Sequence, residues 1–301
     1  MEDATSPPSN TSKRYAVVSG GNKGIGFEIC KQLASQGVVV VLTARSVEKG
    51  KEALEKLKGY CDDGFVVFHQ LNVVDPSSVS SLVHFVKAKF GKLDILVNNA
   101  GVNGVVADEN ALKASVGGQV NWADILAHNN ELTEECIQIN YYGAKNTTRA
   151  FLPLLQLSKS PRIVNVTSGL ALLENIRNEW AKGALGNGVT EGGDEKAVDE
   201  VVDMFLEDYK KGCFREKGWP SFMPAYVVSK TAMNAYSRII SQKYPSFQVN
   251  CVCPGHVKTD ITYNTGHLTA EEGASNVVRV ALQPENGPSG VFFDRQEIIS
   301  F

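Results

Sequence analysis

Little in this chain points to metal, membrane or nucleic acid. No Cys-x-x-Cys pair and no His-Glu-x-x-His run occurs, and the five histidines are dispersed, so the common zinc-site spacings are missing. The six cysteines (Cys30, Cys61, Cys136, Cys213, Cys251, Cys253) lie singly in apolar or helical contexts and read as reduced thiols, not as a disulfide framework. The longest purely aliphatic run, residues 38–42, is far short of the ~20 residues that a bilayer-spanning helix needs. A formal net charge of −3 leaves no basic footprint for nucleic acid or an anionic membrane. Residues 1–12 are rich in Ser, Thr and Pro and carry Glu2 and Asp3, the composition of a disordered tail and not of a signal or organelle-targeting peptide. The final Ile-Ser-Phe is no peroxisomal address. These absences predict a cytoplasmic protein with no metal, no nucleic-acid partner and no membrane partner.

What is present is an alternation. Of 301 residues, 43% are hydrophobic and 21% charged, an ordinary globular composition that permits a sizeable core. Short β-branched runs at 15–19, 38–43, 65–71, 94–97, 163–166, 248–253 and 290–293 read as strands. Amphipathic stretches at 27–35, 47–58, 76–90, 135–155 and 225–244 read as helices. Aliphatic strands separated by helices predict an α/β fold, a doubly wound parallel sheet covered on both faces, in one domain spanning 13–301. Two stretches break the alternation and read as insertions, about 103–133 (with a helix at 122–128) and about 170–223 (with a helix at 198–211). Within the second, the glycine-rich acidic run 186–195 is the candidate mobile loop.

The first strand runs into Gly20-Gly21-Asn22-Lys23-Gly24-Ile25-Gly26 and straight into a helix. Glycines let the backbone turn sharply and approach a pyrophosphate, whose charge is favoured at a helix N-terminus. The second strand ends at Arg45, where an acidic residue would bind the ribose 2′-hydroxyl of NAD; an arginine suits a 2′-phosphate. Arg45, helped by Lys23 in the glycine turn and by Ser46 and Lys49, predicts NADP(H).

Tyr226 and Lys230, four residues apart on a predicted helix, share one face. A phenol with its usual pKa near 10 is a poor catalyst at neutral pH, and a neighbouring ammonium favours its ionised form. The pair reads as a proton-transfer device whose tyrosine has a lowered pKa.

Taken together these motifs resemble the short-chain dehydrogenase/reductase family from about Arg14 onward. Ser19-Gly20-x-x-x-Gly24-x-Gly26 is similar to its cofactor signature, with serine where threonine is usual. Asn98-Asn99-Ala100-Gly101 resembles its next motif, Ile163-Val164-Asn165-Val166-Thr167-Ser168 the strand that ends in a catalytic serine, and Pro254-Gly255-His256-Val257-Lys258-Thr259 the segment beside the nicotinamide. The resemblance implies a catalytic tetrad of Asn140, Ser168, Tyr226 and Lys230. It implies cofactor contacts from Gly20, Asn22, Lys23, Gly24, Ile25, Gly26, Arg45, Lys49, Asn72, Val73, Asn99, Ala100, Gly101, Tyr226, Lys230, Pro254, Gly255, Val257 and Thr259. Asn72 departs from the pattern, since the family places an aspartate near the adenine there.

Residues 169–225, 57 in all, separate Ser168 from Tyr226, more than in common tetrameric members. That insert and phrases such as Asn178-Glu179-Trp180-Ala181-Lys182-Gly183 resemble a plant subgroup of ketone reductases acting in specialised metabolism. The subgroup implies a monomer, the extra segment covering the helix face through which other members dimerise. It also implies a small hydrophobic carbonyl substrate, whose pocket would draw on Val105, Ser168, Leu170, Leu173, Trp180, Tyr226, Tyr263 and Leu268. Two alternatives stand beside ketone reduction: reduction of a conjugated C=C bond, which product analysis with an enone distinguishes, and non-catalytic NADP(H) sensing, whose mark would be an eroded tetrad.

Overall fold

The computed structural model describes residues 13–61, 64–108, 122–186 and 194–300. The expected tail at 1–12 and most of the expected loop at 186–195 lie outside the described residues. Strands β1 (Tyr15–Val18), β2 (Val39–Ala44), β3 (Val66–Gln70) and β4 (Ile95–Asn98) alternate with helices α1 (Gly24–Ser35), α2 (Val47–Leu57) and α3 (Pro76–Phe90). A ribbon of β5 (Val106–Ala107) and β6 (Leu126–Ala127) flanks a single helical turn, α4 (Trp122–Ile125). Helix α5 (Asn130–Ile137) continues through a π-helical turn (Gln138–Gly143) into α6 (Ala144–Leu155). Next come β7 (Arg162–Val166), α7 (Glu179–Leu185), α8 (Glu195–Lys210), α9 (Pro224–Lys243), β8 (Gln248–Cys253), α10 (Ala270–Ala281), β9 (Phe292–Asp294) and β10 (Glu297–Ile299).

The sheet runs β3-β2-β1-β4-β7-β8-β9-β10, parallel except for the last pairing. The chain winds outward from β1 to one edge, returns to β4 and winds to the other, so β1 and β4 flank the topological switch point. In such sheets ligands bind outside the carboxyl ends of the strands at that point. Strands β2, β4, β7 and β8 are buried along their whole length, which is why β2 and β4 read as near-continuous aliphatic runs and why the polar residues of β7 and β8, such as Asn165 and Asn250, are buried with them. One face packs on α1 and α10 through Ile29, Leu33, Val277 and Ala281. The other packs on α3, α6 and α9 through Leu82, Val86, Phe151, Val228 and Ala232.

Local chemistry sets the ends of these helices. Asp75 caps α3, with Pro76 at the first helical position and Gly91 (φ +74°) closing it. Thr269 and Glu272 form a capping box on α10. Three sequence expectations need correction. The helix expected at 122–128 stops at Ile125, because Leu126 and Ala127 pair with Val106 and Ala107. The helix expected from 135 begins at Asn130, where Asn129 Oδ1 accepts from Leu132 N at 2.8 Å. The helix expected from 27 begins at Gly24, inside the glycine loop.

The second insertion is tied down by a ladder. On α8, Glu195, Asp199 and Asp203 recur every four residues and share a face. They meet Arg149, Lys145 and Tyr142 on the continuous π/α6 helix. Lys145 is buried, 2.5 and 2.6 Å from the Asp199 carboxylate oxygens and 5.5 and 5.8 Å from the ring centroids of Tyr141 and Tyr236. Beneath the ladder Val198, Val201, Val202 and Phe205 enter the core beside α9. Removing one partner of a buried pair leaves an uncompensated charge. Asp199→Ala should therefore cost about 3 kcal/mol in chemical denaturation, and a loss under about 1 kcal/mol would contradict this account of the ladder.

Candidate active site

The turn between β1 and α1 is built against the end of β4. Ser19 Oγ accepts from the backbone N–H groups of Asn99 (2.9 Å) and Ala100 (3.0 Å), while Asn99 Nδ2 donates to the carbonyls of Ser19 (2.9 Å) and Gly20 (3.2 Å). Gly20 and Gly24 lie at φ +66° and +54°, where a side chain is strained. At Gly26 an added methyl would collide with the Gly20 carbonyl oxygen and sit 2.5 Å from Asn99 Nδ2. Helix α1 starts here with no side-chain cap and no acid in its first turn, leaving its positive end open to an anion. Arg45 and Lys49 are exposed at the end of β2. Lys23 forms a 2.5 Å ion pair with Asp260, whose carboxyl is held below the usual range by Lys23 first and also by Lys49. Asp260 was not among the expected site residues. Asn72 takes its place after β3, its backbone N–H donating to Ser78 Oγ at 2.9 Å, and Val73 packs where a side chain on Gly143 would stand.

The tetrad residues come from three elements at the carboxyl edge of the sheet. Ser168 follows β7 and caps a short 3-10 turn, accepting from Leu170 N at 3.1 Å. Asn140 lies in the π-helical turn, a distortion often found at functional sites. Its Oδ1 accepts from Val102 N at 2.9 Å, and its Nδ2 donates to Val102 O (2.9 Å) and Ser229 Oγ (3.1 Å). Lys230 is buried and donates to Val166 O at 2.9 Å. A methyl on Gly101 would stand 3.1 Å from Asn140 Oδ1 and 3.4 Å from Lys230 Nζ, so that glycine keeps the two side chains close.

The electrostatics reverse one expectation. Burial pushes the Tyr226 phenol above the ordinary tyrosine range, and the neighbouring Ser168 hydroxyl offsets this only in part. Burial also pulls the Lys230 ammonium down to about 8. Lys230 Nζ is 5.9 Å from the Tyr226 ring centroid, too far for its charge to outweigh desolvation. The chain's own groups thus hold the tyrosine protonated throughout the neutral range.

Residues 14–179 match the family described as short chain dehydrogenase. The chain belongs to that family. This dehydrogenase, an oxidoreductase acting on CH–OH or C=O groups, is 53% identical over 292 residues to (+)-neomenthol dehydrogenase of Arabidopsis thaliana, covering 96% of this chain and 98% of that one. It is 47% identical over 310 residues to (-)-isopiperitenone reductase of Mentha piperita, covering 96% and 98%. The solved structure of salutaridine reductase from Papaver somniferum superposes with a TM-score of 0.89 at 51% identity, over 94% of this chain and 100% of that one.

The remaining expected residues of the dehydrogenase spread over the segments that follow β7 and β8 and over the first insertion. Gly255 (φ +92°) lets the chain turn after Pro254, and Leu268 lies where a side chain on Gly255 would stand. Val257 bridges Leu268, and Thr259 packs over Gly24. Tyr263 donates to Val105 O at 3.0 Å, and Asn103 donates to Ile261 O at 3.0 Å, so this strap spans from the glycine loop to the first insertion. Leu170 and Leu173 pack half-buried on the core. Trp180 is 46% exposed on α7. A cavity of about 300 Å³ opens between the insertions, lined by Val105, Leu126, His128, Arg215, Ser221, Phe222 and Met223. Of the expected pocket residues only Val105 lines it. The others belong to long-range packing that no local spacing encodes. Met223 carries one local mark, φ +44° just before Pro224, a conformation rare outside glycine that concentrates at functional sites.

The cradle fits a nicotinamide dinucleotide: a glycine turn without room for a side chain, an uncapped helix start and the cations Lys23, Arg45 and Lys49 beside it. No metal-holding cluster occurs among the described residues, and no helix among them is long and apolar enough to cross a membrane. Gly26→Ala should weaken nicotinamide dinucleotide binding at least about tenfold in a fluorescence titration, whereas wild-type affinity would contradict the role given to that turn.

Proposed function

We propose that this dehydrogenase is an NADPH-dependent carbonyl reductase that converts a hydrophobic ketone, of terpenoid, alkaloid or similar plant specialised metabolism, to a secondary alcohol, and runs reversibly as an alcohol dehydrogenase. The single observation that carries this reading is Tyr226, a phenol kept protonated by burial with the Ser168 hydroxyl beside it. A protonated acid beside a hydrogen-bond donor is what a carbonyl oxygen gaining negative charge requires. The names of salutaridine reductase and (+)-neomenthol dehydrogenase support the two directions of that reaction, reduction and alcohol oxidation. NADPH, when bound, supplies the hydride to the carbonyl carbon.

The protein's own groups handle the oxygen and its proton. Tyr226 gives its phenolic proton to the carbonyl oxygen, and Ser168 donates a hydrogen bond to the same oxygen. Lys230, fixed on Val166 O, supplies positive charge beside the phenolate that remains. Asn140 is a positioning residue, joining the Val102 loop to Ser229 one residue before Lys230. Arg45, Lys49 and Lys23 would hold a 2′-phosphate, the backbone from Gly20 to Gly26 the pyrophosphate, Asn99 to Gly101 the ribose region, and Pro254, Gly255, Val257 and Thr259 the nicotinamide end. The chain works as a monomer in the cytoplasm. That state is supported by α8, which packs over α9 and α5 and covers the face a dimer would use.

A second reading, reduction of a conjugated C=C bond, is favoured by the likeness to (-)-isopiperitenone reductase. The placement of Tyr226 and Ser168 for a carbonyl oxygen favours the first.

A ketone panel offered with NADPH and with NADH, its alcohols resolved by chiral chromatography, tests the proposal. Tyr226→Phe should lower kcat by about 10²- to 10⁴-fold with NADPH affinity retained; full activity in that variant would refute the mechanism. Ketone reduction needs both Tyr226 and Lys230 protonated. As pH rises through about 8, Lys230 loses its charge first, so kcat for reduction should be flat from about pH 6 to 7.5 and fall above about 8. A profile still rising at pH 9 would contradict this.

A further inference from the structure

In a chain of net charge −3, the described lining of the cavity between the two insertions carries one cation, Arg215. The cavity walls include Val105, Leu126, Phe222 and Met223, and the polar rim includes His128 and Arg215, with no aspartate or glutamate among the described lining residues. Arg215 is exposed, and its guanidinium lies 4.8 Å over the Phe214 ring. Neighbouring cations of the same segment are paired: Lys210 with Glu134, Lys211 with Glu207 and Lys217 with Asp208. No carboxylate pairs with Arg215 among the described residues. The positive charge of Arg215, together with burial as the larger cause, makes His128 harder to protonate. His128 therefore presents a neutral ring, hydrogen-bonded with Tyr209 OH.

Arg215 is also held in place. Asp208 accepts from Lys217 Nζ (2.6 Å) and Trp219 Nε1 (2.9 Å), and Gly218 N and Trp219 N donate to the Arg215 and Phe214 carbonyls at 3.1 and 3.0 Å. Arg177 N and Asn178 N close the turn on Gly218 O. A cation on a pinned loop is pre-organised for a ligand. One lining residue, Met223, precedes α9 by one residue and Tyr226 by three, so the cavity wall and the catalytic helix are joined along the chain.

We propose that this cavity is a subsite for a carboxylate carried by the ketone substrate at the end remote from its carbonyl. A guanidinium takes the two carboxylate oxygens side by side, His128 adds one more polar contact, and Phe222 and Val105 cover the apolar body next to it. The volume, about 300 Å³, suits a ring-sized fragment. The inference rests on the carbonyl-reductase reading, and the substrate class it specifies is a hydrophobic keto acid.

The test is isothermal titration of the NADP⁺-saturated protein with cyclic keto acids and the methyl ester of each, with turnover by NADPH measured in parallel. The acid should bind about fivefold more tightly than its ester. Arg215→Gln should abolish that preference, and Arg215→Glu should reverse it. Equal affinity of acid and ester in the wild type, absence of binding by both, or a preference that Arg215→Gln leaves unmoved overturns the subsite. Acid preference in binding with no reduction of any ketone defeats the reductase reading and leaves the subsite standing.

Discussion

Burial of one helix is the constraint on which the rest depends. Most of the 20 residues of α9 are buried, on the sheet side and on the side facing α8. A helix enclosed in this way cannot rotate without opening the core on both sides. Its enclosure fixes the Tyr226–Lys230 face beside the end of β7, and the same enclosure raises one group's pKa and depresses the other's. Position and proton affinity therefore have one cause. The polar residues of α9 conform to it: Lys230 spends its proton donor on Val166 O, and Ser229 accepts from Asn140.

The second insertion supplies half of that enclosure. Its carboxylates, four residues apart, answer cations and tyrosines three to four residues apart on the continuous π/α6 helix, so α8 lies along one line with one register. Loose docking would expose Phe205 and Val201 and reopen the far side of α9. The same segment continues into the Asp208–Trp219 turn and the strained Met223, which form the wall of the cavity. The segment that seals the core thus also supplies a wall of that cavity.

Much of this was legible in the chain, for identifiable reasons. The glycine turn, the four-residue spacing of Tyr226 and Lys230 and the aliphatic strands are local patterns, and the structure realises each within a few residues. What escaped depends on distance along the chain. Lys23 meets Asp260 from 237 residues away, and the ribbon at Leu126–Ala127 exists only because Val106–Ala107 lies opposite. Strand β10 is three residues long and sits at the sheet edge, below any periodic signal. The sign of the Tyr226 shift escaped for a related reason. Spacing gives the proximity of a lysine, whereas desolvation is a property of the folded surroundings.

The central claim is that hydride goes to a carbonyl carbon while the chain's phenol protonates the oxygen. The most direct measurement is reduction of a cyclic enone with NADPH deuterated at the transferred position, followed by locating the label in the product. The account predicts a single deuterium on the carbinol carbon of an allylic alcohol. Deuterium on the β-carbon of a saturated ketone would contradict it.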